Sequence, residues 1–172
     1  MVLEVDNIFE VERKGADEFF VQEAEEALRP RTVIKQADET ISDIEVPQDD
    51  DELFMSVSAQ TTYKFKLAFI ANGTNSADMD MLFSVPAESK GKYWMTAEND
   101  SRVTSFELRD LTESPMGSPP LSLIGGNESF ELEGFIITGN NTGNLQWKWS
   151  QNNDEVSDLI IRAGSYLEVT RQ

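Results

Sequence analysis

From Glu52 onward, apolar and polar residues alternate with a period of two. Leu53, Met55, Val57 and Ala59 alternate with Glu52, Phe54, Ser56 and Ser58. Tyr63, Phe65, Leu67, Phe69 and Ala71 alternate with Lys64, Lys66, Ala68 and Ile70, and Met79, Met81, Phe83 and Val85 with Asp78, Asp80, Leu82 and Ser84. Successive side chains of an extended chain point to opposite faces, so these segments predict three strands, each with one buried face. Shorter strands are expected at Lys92–Ala97, Arg102–Arg109 and Leu121–Ile124. Phe130–Thr138 follows, with Phe130, Leu132 and Ile136 on one side, and its Gly134 signals a bulge or a close backbone approach. Leu145, Trp147 and Trp149 mark another strand, and Leu159–Ile161 and Tyr166–Thr170 close the series. Loop signals at Asn72–Asn75, Gly125–Asn127, Gly139–Gly143 and Ala163–Ser165 separate these runs. No helices alternate with the strands. The pattern predicts an all-β fold, an antiparallel β-sandwich with a jelly roll as the expected topology.

Residues 1–48 read differently. They are acidic and irregular, and their one helical pattern is Asp17–Leu28, where Phe20, Ala24, Ala27 and Leu28 share a face and Pro30 stops the segment. Val33, Ile34, Ile41, Ile44 and Val46 are spread among acids and amides up to Pro47, as in an extended arm carrying one or two strands. The expected organisation is an N-terminal arm over 1–48, with a possible short helix at 17–28, and a sandwich domain over 49–172. The arm is either a loose terminus or a segment that orders on a neighbouring subunit.

Composition narrows the chemistry. The 172 residues include 32 Asp plus Glu against 14 Lys plus Arg, a net charge of −18, with no His and no Cys. Without Cys there is no disulfide, thiolate nucleophile or Cys-ligated metal, which fits a reducing compartment; without His there is no imidazole base or ligand. A charge of −18 repels phosphate backbones, and Arg29, Arg31 and Lys35 are too few to form a nucleic-acid patch. No apolar run approaches the ~18 residues of a membrane span, and the N-terminus lacks the basic and apolar regions of a signal peptide. The chain is therefore expected to be no enzyme, to use no cofactor, and to bind neither nucleic acid nor membrane.

The candidate sites are correspondingly sparse. Asp49, Asp50 and Asp51, with Glu52, form the densest acidic run, and Asp78 and Asp80 share a strand face. All are weak candidates for a cation such as calcium, and the leading reading of both groups is solvated surface. Trp147 and Trp149 share a face and read first as core, then as a subunit interface, and last as a ligand platform. Phe19, Phe20, Leu28, Val33, Ile34, Trp94, Trp147 and Trp149 are the interface candidates. Four Asn-x-Ser/Thr sequons read as loop composition.

Two segments add a resemblance. The first is Ile41–Pro86, with Asp49-Asp50-Asp51-Glu52-Leu53, then Tyr63-Lys64-Phe65, Gly73, Asp78 and Pro86. The second runs through Gly134–Gly139, Thr142–Asn152 and Ala163-Gly164-Ser165 to Arg171. Together they resemble β-sandwich domains of tailed-phage virion proteins, in which a D-x-x-L … Y start precedes a G-x-L … W-x-Q strand and a closing A-G-S-x-L strand. The chain departs from that pattern by carrying Trp149-Ser150 where W-A-Q is common, and by its long acidic N-terminal zone. The resemblance implies a head decoration (cement) protein, made in the host cytoplasm and bound to the outer surface of the capsid. Its partners would be the major capsid protein and its own copies, as a homotrimer. The alternative implied is a tail-fibre or receptor-binding tip recognising host glycans.

Overall fold

A computed structural model describes residues 28–74, 78–97, 109–111, 121, 123–152 and 156–172. Among them the chain forms eleven strands and no helix. These are β1 (Arg31–Ile34), β2 (Glu39–Ile41), β3 (Gln48–Val57), β4 (Thr62–Gly73), β5 (Met79–Ser84), β6 (Lys90–Ala97), β7 (Arg109–Asp110), β8 (Gly126–Ile137), β9 (Gly143–Gln151), β10 (Leu159–Ile161) and β11 (Tyr166–Arg171). They make two antiparallel sheets. The larger runs β1-β11-β4-β8-β6-β7, with β10 also paired to β4 and carrying β2 on its other side; the smaller runs β3-β9-β5.

The pairings are nested. β1 pairs with β11 in the large sheet, β3 with β9 in the small one, and β4 with β8 in the large one again. A long antiparallel hairpin rolled over two sheets gives this order, which is the jelly-roll plan. The plan is broken at one place: β6 joins β8 in the large sheet instead of lying beside β5. The outer edge of β5 is met by backbone from Leu111 and Leu121, between β7 and β8. Phe83 N–H donates to Leu111 O at 2.9 Å, and Met79 and Leu121 exchange bonds of 2.9 and 3.0 Å. Such contacts occupy an edge that would otherwise offer unpaired backbone groups.

The alternation sets the core. Leu53, Met55 and Val57, the alternate residues Tyr63, Phe65, Leu67, Phe69 and Ala71, Met79, Met81 and Phe83, and Leu145, Trp147 and Trp149 all turn inward and are buried. Rings bridge the two sheets: Phe69 lies 4.9 Å from Trp147 and Phe65 5.0 Å from Phe83, centroid to centroid. Each such pair adds about 0.5–1.5 kcal/mol beyond the area it buries. Gly134 serves close approach, with no bulge, since the register runs unbroken through Phe65↔Gly134 and Tyr93↔Gly134.

Several expectations change. β1 and β2, placed in the arm by sequence, are strands of the sandwich's own large sheet, so the sandwich takes in residues from Arg31. Leu121 makes only an isolated bridge where a strand was expected. The acidic run 49–52 lies inside β3, where the pairing with β9 shifts register between Asp49 and Phe54. The helix expected within 17–28 and most of the strand expected at 102–109 lie outside the described residues.

Candidate functional site: the outer face of the large sheet

Because β4, β8 and β11 bury alternate residues, and β6 turns Tyr93 and Met95 inward beside them, the intervening residues form one continuous outward face. The registers arrange it in rows. Across β11, β4, β8 and β6 one row reads Glu168, Lys66, Glu133, Trp94, and the next reads Thr170, Lys64, Phe135, Lys92. Below them Thr62, Ile137 and Lys90 line up. Trp94 and Phe135 are half-buried, while Ile137 is 48% exposed. A cleft of about 580 Å³ lies over the middle rows, lined by Lys64, Lys66, Trp94, Glu133, Phe135 and Glu168 among others. Phe135 also borders a neighbouring depression of about 450 Å³ with Lys90, Lys92 and Leu111.

The electrostatics of this face differ from those of the whole chain. Lys66 stands directly between Glu168 and Glu133 of the neighbouring strands, and Lys64, Lys90 and Lys92 share the same face with Glu131. Lys66 Nζ lies 2.7 Å from Glu131 Oε1. That hydrogen bond holds the Lys66 ammonium above its ordinary pKa, against a smaller opposing effect of burial. Cross-strand pairs of opposite charge stabilise a sheet by about 0.2–1 kcal/mol each. The result is a nearly balanced surface on a chain whose overall charge is −18.

The sequence candidates fall in different places. Trp94 sits on this face. Ile34 also points outward, 51% exposed, in the row of Tyr166, Ala68 and Glu131. Val33 is half-buried and packs on the core, and Leu28 is exposed just before β1. Trp147 and Trp149 are wholly buried between the sheets, as their first reading had it, so neither presents surface to a subunit or ligand. Phe19 and Phe20 lie outside the described residues. Phe135 and the lysines were missed; their signal was the sign of charge at outward positions, positive on β4 and β6 and negative on β8.

The acidic candidates divide between surface and interior. Asp49 pairs with Lys148 at 3.0 Å and Asp51 is exposed. Asp50 is buried and accepts from Lys35 Nζ at 2.9 and 3.0 Å and from Trp149 Nε1 at 3.1 Å. Asp80 is buried opposite Ser150, and Asp78 is half-buried at the start of β5, so the pair read as surface is largely enclosed. Among the described residues, no three acidic side chains converge as a cation site would require.

No family model matches the chain, and no curated protein matches it. Among solved structures, it is similar to the Eiger TNF of S. frugiperda at 10% identity and a TM-score of 0.40, covering 83% of this chain and 91% of that one. The tripod from the baseplate of bacteriophage Tuc2009 matches at 7% identity and 0.33, over 79% and 64% of the two chains. The VP2 subviral particle of infectious bursal disease virus matches at 10% identity and 0.25, over 82% and 39%. Phage and viral structural β-domains are thus among its structural neighbours, at scores too low to carry a functional inference.

Proposed function

We propose that this chain is a non-enzymatic phage capsid decoration protein. It binds the outer surface of the head through the major capsid protein and associates with its own copies as a homotrimer. The observation that carries the binding role is the outer face of the large sheet. Copies charged at −18 repel one another, so they meet at least cost where charge is balanced. On that face Trp94, Phe135 and Ile137 supply the apolar anchors that dominate interface energetics, rimmed by lysine and glutamate. The head location rests on the sequence resemblance. The mechanism is binding alone: a clamp that engages only the assembled shell stabilises it by mass action.

The test is the mass in solution together with co-sedimentation on undecorated heads. Wild-type protein is expected to run as a trimer and to pellet with heads. A Trp94→Glu/Phe135→Glu variant, altered only at outward positions, should keep the far-UV spectrum and run as a monomer. A wild-type monomer with no affinity for heads would remove the proposal. A glycan-array signal lost on Trp94→Ala would point instead to the receptor-binding alternative.

A further inference from the structure

Lys35 follows β1 directly and is 1% exposed. Its Nζ contacts both oxygens of Asp50, at 2.9 and 3.0 Å, and Glu39 Oε2 at 2.6 Å. The Asp50 side chain is itself fully enclosed. Asp50 Oδ1 accepts two further bonds, from the backbone N–H of Glu52 at 3.0 Å and of Leu53 at 2.8 Å, and Oδ2 accepts from Trp149 Nε1 at 3.1 Å. Asp50 and both N–H donors lie within the stretch of β3 where its register against β9 shifts, between Asp49 and Phe54.

We propose that Lys35 and Asp50 condense to an intramolecular amide, an isopeptide bond, with Glu39 carrying the protons. An amine, a carboxyl carbon and a second carboxyl group are held in contact away from bulk water, so the entropic cost of bringing them together is met by the fold. The two N–H groups on Oδ1 are placed to hold negative charge when that oxygen becomes an oxyanion. Enclosure also disfavours the ionic pair relative to a neutral amide. Burial pulls the Lys35 ammonium down, but Glu39 and Asp50 outweigh it and the net shift is upward, so the proton must be taken by a neighbour before attack. Glu39 is suited to that: burial raises its pKa, the Lys35 and Asp51 hydrogen bonds offset this only in part, and Asp50's charge adds to the rise.

The steps balance. Glu39 takes one proton from the Lys35 ammonium and delivers it to Asp50 Oδ2, leaving a neutral amine and a carboxylic acid. Nζ, on its flexible stem, then swings out of the carboxyl plane to face Cγ, leaving Oδ1 on its two N–H donors. The nitrogen lone pair forms the N–Cγ bond while the Cγ–Oδ1 π pair moves onto Oδ1. Glu39 carries a second proton from nitrogen to Oδ2, the Cγ–Oδ2 bond breaks with release of water, and the carbonyl re-forms. Glu39 ends as it began, and nothing is oxidised or reduced. The bond would tie the end of β1, in the large sheet, to the bulge of β3, in the small one, a covalent brace in a chain that has no cysteine.

Intact mass under denaturing conditions, followed by tryptic mapping, tests this on the full-length protein. The wild type is expected to be lighter than its sequence by one water. Trypsin should leave Thr32–Lys64 as one looped peptide, uncut at Lys35. A succinimide elsewhere would lose the same mass but leave Lys35 cleavable, which would count against the proposal. Glu39→Gln should retain the full mass and restore cleavage at Lys35, and Lys35→Arg should also retain the full mass. Wild-type protein of full sequence mass, cut at Lys35 after prolonged incubation, would overturn the proposal.

Discussion

Gly134 offers the sharpest test of how the core is packed. It lies on the inward side of β8, opposite Phe65 of β4 and Tyr93 of β6. A Cβ built there would stand 2.4 Å from Phe65 Cζ, 2.7 Å from Cε1 and 2.6 Å from the backbone oxygen of Lys92. The ring of Phe65 therefore occupies the volume a side chain at 134 would need. Gly134→Ala must displace both the ring and β6, and overpacking of this kind costs about 1–3 kcal/mol. The upper part of that range applies, because one obstacle is backbone. Reduced freedom of the unfolded chain returns about 0.4–1 kcal/mol. The net expectation is about 2 kcal/mol, or about 4–8 °C in Tm for a chain of this size. Phe65→Leu removes the two clashing ring atoms and gives up the ring pair with Phe83, worth about 0.5–1.5 kcal/mol, along with some burial. In the double variant the alanine methyl takes the vacated space, so the two costs should fall short of additivity by about 1 kcal/mol, with Lys92 preventing full rescue. Urea titration at fixed protein concentration, followed by tryptophan fluorescence, measures all four corners of the cycle. A Gly134→Ala variant as stable as wild type, or strictly additive costs, would refute the packing argument.

Two further predictions use the same titration. Trp149→Phe strips a buried hydrogen bond from Asp50 and should cost about 1–3 kcal/mol beyond the lost ring volume. Trp147 Nε1 has no hydrogen-bond partner among the described residues, so Trp147→Phe should cost less; equal losses would contradict the Asp50 contact. Asp38 is held below its ordinary 3.8 by the Ala163 N–H and then by the Arg162 guanidinium. A depressed folded value adds stability that is present above the unfolded value and lost as pH falls through the folded one. Asp38→Asn should therefore weaken the protein at neutral pH, with the gap to wild type closing as pH drops below 3.8. A gap that persists in acid would mean that Asp38 acts by something other than its charge.

The sequence by itself determined which side chains turn inward. Period-two alternation is a local property of an extended chain, and the inward sets of β3, β4, β5, β8 and β9 could be read before any partner was known. Both tryptophans of β9 followed from it as core. Alternation says nothing about which strands lie side by side. It could not place Lys64 beside Phe135, so the balanced face was invisible as a face although each residue's outward direction was legible. Nor could it show that β1 and β2 belong to the large sheet, because strands that short carry too little alternation to distinguish them from an arm. The acidic run misled for a related reason. Four adjacent acids look solvated when each is judged alone, and only the shifted register of β3 buries Asp50 against Lys35 and Trp149. Charge burial depends on a partner brought from another strand, and that choice is made by the two sheets closing on one another.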